Sequence, residues 1–537
     1  MERKLLDENK YFFKKIEEEK NEFKCCGPSK LALNLRKRKI NEKIGKSRIS
    51  KSKNPFTVEF GNKELEKLNE LSKFLYEQKD IKGIIESLDQ LYIFLMNFKD
   101  PIKYNYIELS KIIPNLYTKM DSFKDKEIII TKIFDLFDQI IRLTSSYDEV
   151  NKYCLILNKQ YFQIILSLID YYQNNNIIIE KIFNFLSILV EKSEALKIYL
   201  MTKPGFYFIQ AIFSLDTKYP LFFIKLMYSF CFCKNINDLT MKDFEIMFVE
   251  KCDKIITLFY DQNHSEPRIV INNSLLFIKL YKCLSFISRC ENKDIMDIFL
   301  NSINNVTLYE KILAFEVFDK EHLAEEVLII IGNLYCSTDI KHIQILIESN
   351  SYQYVMNELT QRFNKNIILE NAAWAMVNFV NLEIYRTIFI KNGYINDLII
   401  LLKIINSYEV LNEILSIILN LFNGINGTDI YEFTKCDITG CLVYLLKNMK
   451  EPNLLNKILI IIKMLLIKGN PNNHLEKYYK NTDNKITNIY LYQFEYCGLY
   501  DVLNNLSIQN KHEIVSVYAK DIIDHFFDNY NEKIIVD

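Results

Sequence analysis

One tryptophan, Trp374, serves a chain of 537 residues. Glycine (12) and proline (9) are also scarce for that length. So few chain breakers exclude collagen-like, low-complexity and turn-dense β architectures and favour helices. The twelve cysteines are scattered. Only Cys25 and Cys26, and Cys231 and Cys233, stand close together, and neither pair has a second pair at zinc-ligand spacing. The reading is reduced thiols in a cytosolic or nuclear protein, most of them buried as small hydrophobes. The six histidines are isolated, and no glycine-rich phosphate loop or nucleophile elbow is present. No catalytic residue, cofactor or metal is therefore expected. Every apolar run is cut by a charge or an amide before it reaches bilayer length. The N-terminal MERKLLDENKYFFKKIEEEK is charged throughout and is not a signal peptide, so a soluble protein without a membrane partner is expected. The 67 basic and 68 acidic residues leave a net charge of −1, which argues against direct nucleic-acid coating.

The balance hides a local excess. From Lys30 to Lys53 there are ten basic residues and one acid, Glu42. Residues 1–54 read as a flexible basic arm with its basic core at 30–53. Leu31, Leu33, Leu35, Ile40 and Ile44 interleave with the charges and on a helix would form an apolar stripe. A bare basic run of this kind also fits nucleic-acid or membrane surfaces, and such runs are commonly solvated.

After Pro55 a helical period sets in, with apolar residues at i, i+3, i+4 and i+7 and short polar breaks. One kind of segment recurs: an apolar helix ending in a small or amide residue. Examples are IFNFLSILVEKS, VLIIIGNLYCST, AAWAMVNFVNLE and ILSIILNLFNGI. The reference positions Ser187, Ser229, Ser285, Asn333, Asn378, Asn420 and Met464 are spaced by 42, 56, 48, 45, 42 and 44. Most of these fit a repeat of about 40–47 residues, the HEAT or armadillo range. The 56 points to an insertion near DQNHSEPR. Such units cannot bury their apolar faces alone and must stack. The expected fold is all-α, a right-handed superhelical solenoid of about ten armadillo repeats over residues 55–530, with a tail at 531–537.

Four regions in order resemble the importin-α family. Leu33 to Arg48, LNLRKRKINEKIGKSR, is similar to that family's importin-β-binding segment; ENAAWAMVN to its E-A-x-W-A-x-x-N helix; FIKNGYINDLIILLK, residues 389–403, to its repeat start; and residues 494–527 to its closing repeat. The resemblance implies a nuclear import adaptor shuttling between cytoplasm and nucleus. Leu35, Arg36, Lys37, Arg38, Lys39, Lys43, Lys46 and Arg48 would engage an importin-β-like carrier. The last repeat would meet an export factor. Basic nuclear-localisation-signal cargo would lie in a groove at Trp374, Asn378, Asn333 and Asn420, the counterpart of the family's minor site. Amides would grip the peptide backbone, and an indole face would hold a lysine stem with about 0.5–2 kcal/mol of cation–π attraction. The counterpart of the major site departs from the family: Asp135/Gln139, Phe183/Ser187 and Lys225/Ser229 stand where tryptophan–asparagine pairs are expected, with Phe183 a packing residue. The alternative is an armadillo scaffold that binds proteins without reading such signals.

Overall fold

The structure, a computed structural model, describes residues 62–97, 106–143, 159–192, 320–361, 365–424, 433–469, 488–509 and 512–528, with scattered helical residues between 196 and 300. All regular structure among them is helical. The basic arm 1–54, the tail 531–537 and the Lys225/Ser229 pair lie outside the described residues. The chain forms two compact units, which meet in sequence at Leu323 and Ala324.

In the unit before Ala324 the helices come as pairs: α1 (Asn62–Glu77) with α2 (Ile81–Met96), α3 (Tyr106–Ser122) with α4 (Glu127–Leu143), and α5 (Lys159–Tyr171) with α6 (Asn176–Lys192). The second helix of each pair packs on the second helix of the next, α2 on α4 and α4 on α6. Phe134, Phe137 and Phe185 interlock between α4 and α6 with ring centroids 4.9–6.2 Å apart. Tyr117 and Tyr161 stack at 3.9 Å between α3 and α5. These rings and the buried Leu and Ile side chains around them supply the cohesion, each buried aromatic removing about 150–250 Å² from water.

The other unit runs through α7 (Lys320–Leu334), which crosses the boundary in sequence, and then α8 (Ile340–Glu348), α9 (Ser351–Thr360), α10 (Asn366–Phe379), α11 (Glu383–Lys391), α12 (Tyr394–Ile404), α13 (Tyr408–Gly424), α14 (Ile438–Asn448), α15 (Pro452–Lys468), α16 (Ile489–Tyr496), α17 (Leu499–Gln509) and α18 (Glu513–Ile522), closed by a π-helical turn at Ile523–Asp528. The triplets α8–α10, α11–α13 and α16–α18 share a plan: a short first helix, a sharp turn, a second helix and then a third. The third helices stack in a row, α10 on α13, α13 on α15, α15 on α18.

The turn between first and second helices needs a left-handed residue. Asn350, Gly393 and Gly498 fill it with φ of 52°, 75° and 75°, the conformation that glycine and asparagine adopt at least cost. Asn350 and Gly393 stand one repeat apart. Helix starts are local as well. Asp80 accepts from Gly83 N at 3.0 Å, Asp339 from Lys341 N at 2.9 Å, and Asn488 from Tyr490 N at 3.1 Å. Pro452 opens α15 where its missing N–H costs nothing.

Candidate interaction site

Third helices carry the sequence-predicted residues, and the structure gives those residues partners. Asn378 on α10 is 1% exposed, and its Nδ2 donates to Gly332 O on α7 at 2.8 Å. Asn420 on α13 donates to Val377 O on α10 at 3.2 Å. Gly332 immediately precedes Asn333, and Val377 immediately precedes Asn378. The two amides therefore repeat one contact in one register, 46 and 43 residues apart.

A helix end explains the acceptors. The last carbonyls of a helix lack intrahelical donors. The amide of Cys336, four residues beyond Gly332, donates to Asn333 O, and that of Asn381, four beyond Val377, donates to Asn378 O. Each carbonyl takes a bond from the next repeat's asparagine, and Gly332 O also accepts from Cys336 Sγ at 3.5 Å. The amide ladder is thus a set of C-caps linking neighbouring repeats. Asn488 does the same for Leu466 O on α15, at 2.6 Å. In the other unit Lys119 on α3 caps α1 through Tyr76 O at 3.1 Å and Gln78 O.

Trp374 lies one turn before Asn378 and is 4% exposed. Its ring rests on Gly332: a Cβ built on that glycine would meet Cζ3 of the indole at 2.2 Å and Cε3 at 2.7 Å. Asn333, at the end of α7, is 5% exposed. Trp374, Asn333 and Asn378 thus come together between α7 and α10 but present almost no surface to solvent, whereas Asn420 is half-buried. The sequence reading did not single out Gly332. Its signal was the Gly-Asn pair in IIIGNLYC, a break in an otherwise bulky apolar helix.

A buried polar atom of the ladder lacks a donor. Asn378 Oδ1 is buried and accepts no hydrogen bond. An amide fixed by its N–H₂ presents its oxygen as an acceptor, so the unpaired atom suits a donor.

The helix face seven residues before each ladder position carries a second pattern. On α4 Lys132 pairs with Asp89 of α2, and on α6 Lys181 pairs with Asp135 of α4. This sets the register of α6. Lys181 takes the place that Lys132 takes on α4, so Asn184 and Ile188 are the half-buried residues matching Asp135 and Gln139. The expected pair, Phe183/Ser187, is one residue out of this register. Phe183 is 2% exposed and packs in the core, and Ser187 turns its hydroxyl to Asn184 O at 2.9 Å. On α15 the matching residue is Lys457, whose Nζ donates to Ser416 Oγ at 2.6 Å and Asn412 O at 3.1 Å. At the same position α7 has Glu326, α10 has Asn371 and α13 has Glu413. Asp138, one turn beyond Asp135, has its carboxyl pushed up to about 6, first by burial and then by the charge of Asp135, with Lys181 acting the other way.

Among the described residues no group of three or more His, Cys, Asp or Glu side chains could hold a metal, and no helix is long and apolar enough to cross a membrane.

No protein-family profile matches the sequence, and no curated protein does. Solved structures do match in shape. The crystal structure of an engineered protein superposes with a TM-score of 0.57 over 85% of this chain and 98% of that one, at 12% identity. A chain in the structure that describes a conserved phosphorylation switch controlling the interaction between cadherin and beta-catenin gives 0.53 over 85% of each, at 14% identity. A designed armadillo repeat protein in complex with the peptide (KR)4 covers 47% of this chain and 94% of that one, at 18% identity and a TM-score of 0.37. The fold is the armadillo-repeat solenoid. Its three-helix repeat accounts for the 43- to 46-residue offset of the linking bonds and for the row of third helices. In an armadillo repeat the third helix is the element that carries the candidate ladder here.

Proposed function

We propose that this chain is a protein-interaction platform that holds an extended segment of a partner along α7, α10 and α13. The observation that carries the proposal is the register of Asn378 and Asn420, with the buried, unbonded Oδ1 of Asn378 in the middle of the row. A backbone N–H or a cationic side chain is the donor such an atom lacks. Glu409 and Glu413 on α13 flank the row with negative charge. A basic segment therefore fits better than an acidic one.

Trp374 limits how binding proceeds. Its indole is packed on Gly332, so a lysine stem can lie against it only if the ring face is uncovered on binding. The test is titration of the full chain, followed by fluorescence of Trp374, with a lysine-rich peptide and with a glutamate-rich peptide of equal length. The lysine-rich peptide is expected to bind and to shift the emission. Binding of neither would leave the ladder a purely structural linkage, and preference for the acidic peptide would reverse the assigned charge.

In its finer form the proposal is nuclear import: basic signal cargo on this ladder, an importin-β-like carrier on residues 1–54, an export factor on the last repeat, and passage between cytoplasm and nucleus. The sequence resemblance supports it. Its separate test is capture by residues 1–54, with Arg36, Lys37, Arg38 and Lys39 intact or changed to serine. Failure of the intact arm to retain any importin-β-type carrier would remove the transport reading and leave the platform.

A further inference from the structure

We infer that the second helices of the three pairs before Ala324, α2, α4 and α6, form a separate track for an extended partner segment that carries aliphatic side chains on either side of one basic residue. This track lies in a different unit from the Asn378 row and does not depend on it.

Two ion pairs set its register. Lys132 meets Asp89, and Lys181 meets Asp135. Glu86 on α2 therefore matches Lys132 and Lys181, Asp89 matches Asp135 and Asn184, and Ile93 matches Gln139 and Ile188. The row that reads Asn333, Asn378 and Asn420 in the other unit reads Ile93, Gln139 and Ile188 here. Two of these three are aliphatic. Ile93 is 62% exposed, Met96 one turn beyond it is 47% exposed, and Ile188 is half-buried. Gln139 is engaged at both ends of its amide: it donates to Met96 Sδ and accepts from Arg142 Nε at 2.7 Å. Single exposed aliphatics are ordinary on a protein surface. These recur at one register position on helices that pack side by side, where the other unit has amides. A row of that kind favours apolar partner side chains over a peptide backbone.

Charge picks out one position between them. Asp89 and Asp135 are each neutralised by a lysine of the next helix. Asp138, which immediately precedes Gln139, is not: among the described residues it makes no hydrogen bond and no ion pair. Burial, and then the charge of Asp135, push its carboxyl up to about 6, because the charged form lacks a cation of its own. A lysine ammonium or an arginine guanidinium brought by a partner supplies that cation. Arg142, one turn on from Asp138, carries positive charge beside the same row, which counts against a second basic residue there. Packed helices lie about 8–10 Å apart, and an extended chain advances about 3.3 Å per residue. Residues two or three apart in the segment thus meet successive helices: an aliphatic at Ile93, the basic residue at Asp138, an aliphatic at Ile188.

The test uses the full-length chain and fluorescein-labelled peptides read by polarisation. The probe is SLSSKSSLS. One control replaces its lysine by glutamate, and the other replaces both leucines by lysine. The probe is expected to bind about tenfold more tightly than either control, the ratio that one charge-assisted hydrogen bond commands. Asp138→Asn is expected to weaken the probe about tenfold and to cancel its preference over the glutamate form. Ile93→Ser is expected to weaken it about fivefold through the lost apolar contact. Both residues lie at the surface, so thermal melts should show both variants folded. Trp374 belongs to the other unit, so its emission should stay constant as the probe binds; a shift would assign the peptide to the Asn378 row and overturn the track. No binding by wild type, equal affinity for the lysine and glutamate forms, or binding that neither Asp138→Asn nor Ile93→Ser weakens would overturn it as well, and each of these results leaves the Asn378 row untouched.

Discussion

Replacing Gly332 by alanine puts two opposed effects on one atom. Gly332 lies inside α7, where alanine is the better helix former by about 0.8–1 kcal/mol. On propensity alone the variant gains stability. The added Cβ, however, would stand 2.2 Å from Cζ3, 2.7 Å from Cε3 and 3.0 Å from Cη2 of Trp374. These atoms belong to a rigid ring, so none can bend away as the end of a flexible chain would. The indole must tilt, or α7 and α10 must part and stretch the 2.8 Å bond from Asn378 to Gly332 O. Overpacking of this kind costs about 1–3 kcal/mol, and loss of the amide bond adds about 1 kcal/mol. The clash wins, with a net loss of about 1–3 kcal/mol after the propensity gain is deducted. For a unit of this size that is roughly 2–12 °C in Tm, on a scale of about 2–4 °C per kcal/mol. Trp374 is the chain's single tryptophan, so its emission reports the contact alone. The variant should move emission to longer wavelength and raise quenching by acrylamide, and Trp374→Leu in the same background should recover part of the lost Tm. A Tm at or above wild type with unchanged emission would show that the indole does not rest on Gly332.

Other outcomes follow from the same geometry. Asn420→Ala removes the donor to Val377 O and should cost about 1 kcal/mol in urea melts; no loss would mean that the carbonyl is served by another donor or by water. Gly393→Ala forces a Cβ into φ of 75° and should cost about 1–2 kcal/mol, whereas Asn350→Gly at the equivalent turn should be neutral or stabilising, and the reverse order would refute the shared role of the two positions. Asp138 holds its proton up to about pH 6 in the folded chain, above the 3.8 of a free aspartate. The folded state thus binds more protons between those values, and stability falls as pH rises through that window. Asp138→Asn should therefore raise Tm at pH 7 and leave it nearly unchanged at pH 4. The carboxyl is crowded by its neighbours although the residue as a whole is exposed, so water screening keeps the gain in Tm small, and a drop in Tm at pH 7 would reverse the sign. Burial pushes the Cys441 thiol up to about 12, so iodoacetamide at pH 8 should modify Cys497 well before Cys441; equal rates would show that Cys441 is open to solvent.

The sequence alone determined whatever depends on local spacing. Scarce glycine and proline with a 3.6-residue apolar period specify helices, because burying one stripe of a helix is the only way to use that pattern. The 42- to 48-residue recurrence specifies stacked repeats, because no single unit could hide its apolar face. The segments holding Gly393 and Gly498 were legible as repeat starts only through their resemblance to a known family; the left-handed turn that calls for glycine there came from the structure. The pairing across repeats was not legible. Whether Asn378 faces a ligand or a neighbouring helix turns on which carbonyl lies within 3 Å, a distance set by how α10 stacks on α7. Gly332 was marked only as a break in a bulky apolar helix, and its role was hidden because the indole it seats is 42 residues away. A one-residue slip on α6 moved the ladder from Phe183/Ser187 to Asn184/Ile188, because adjacent helix positions differ by about 100° and only the bond from Lys181 to Asp135 fixes the rotation. Residue type named the parts; the packing of one repeat on the next decided which side chains link the structure and left Asn378 Oδ1 without a donor.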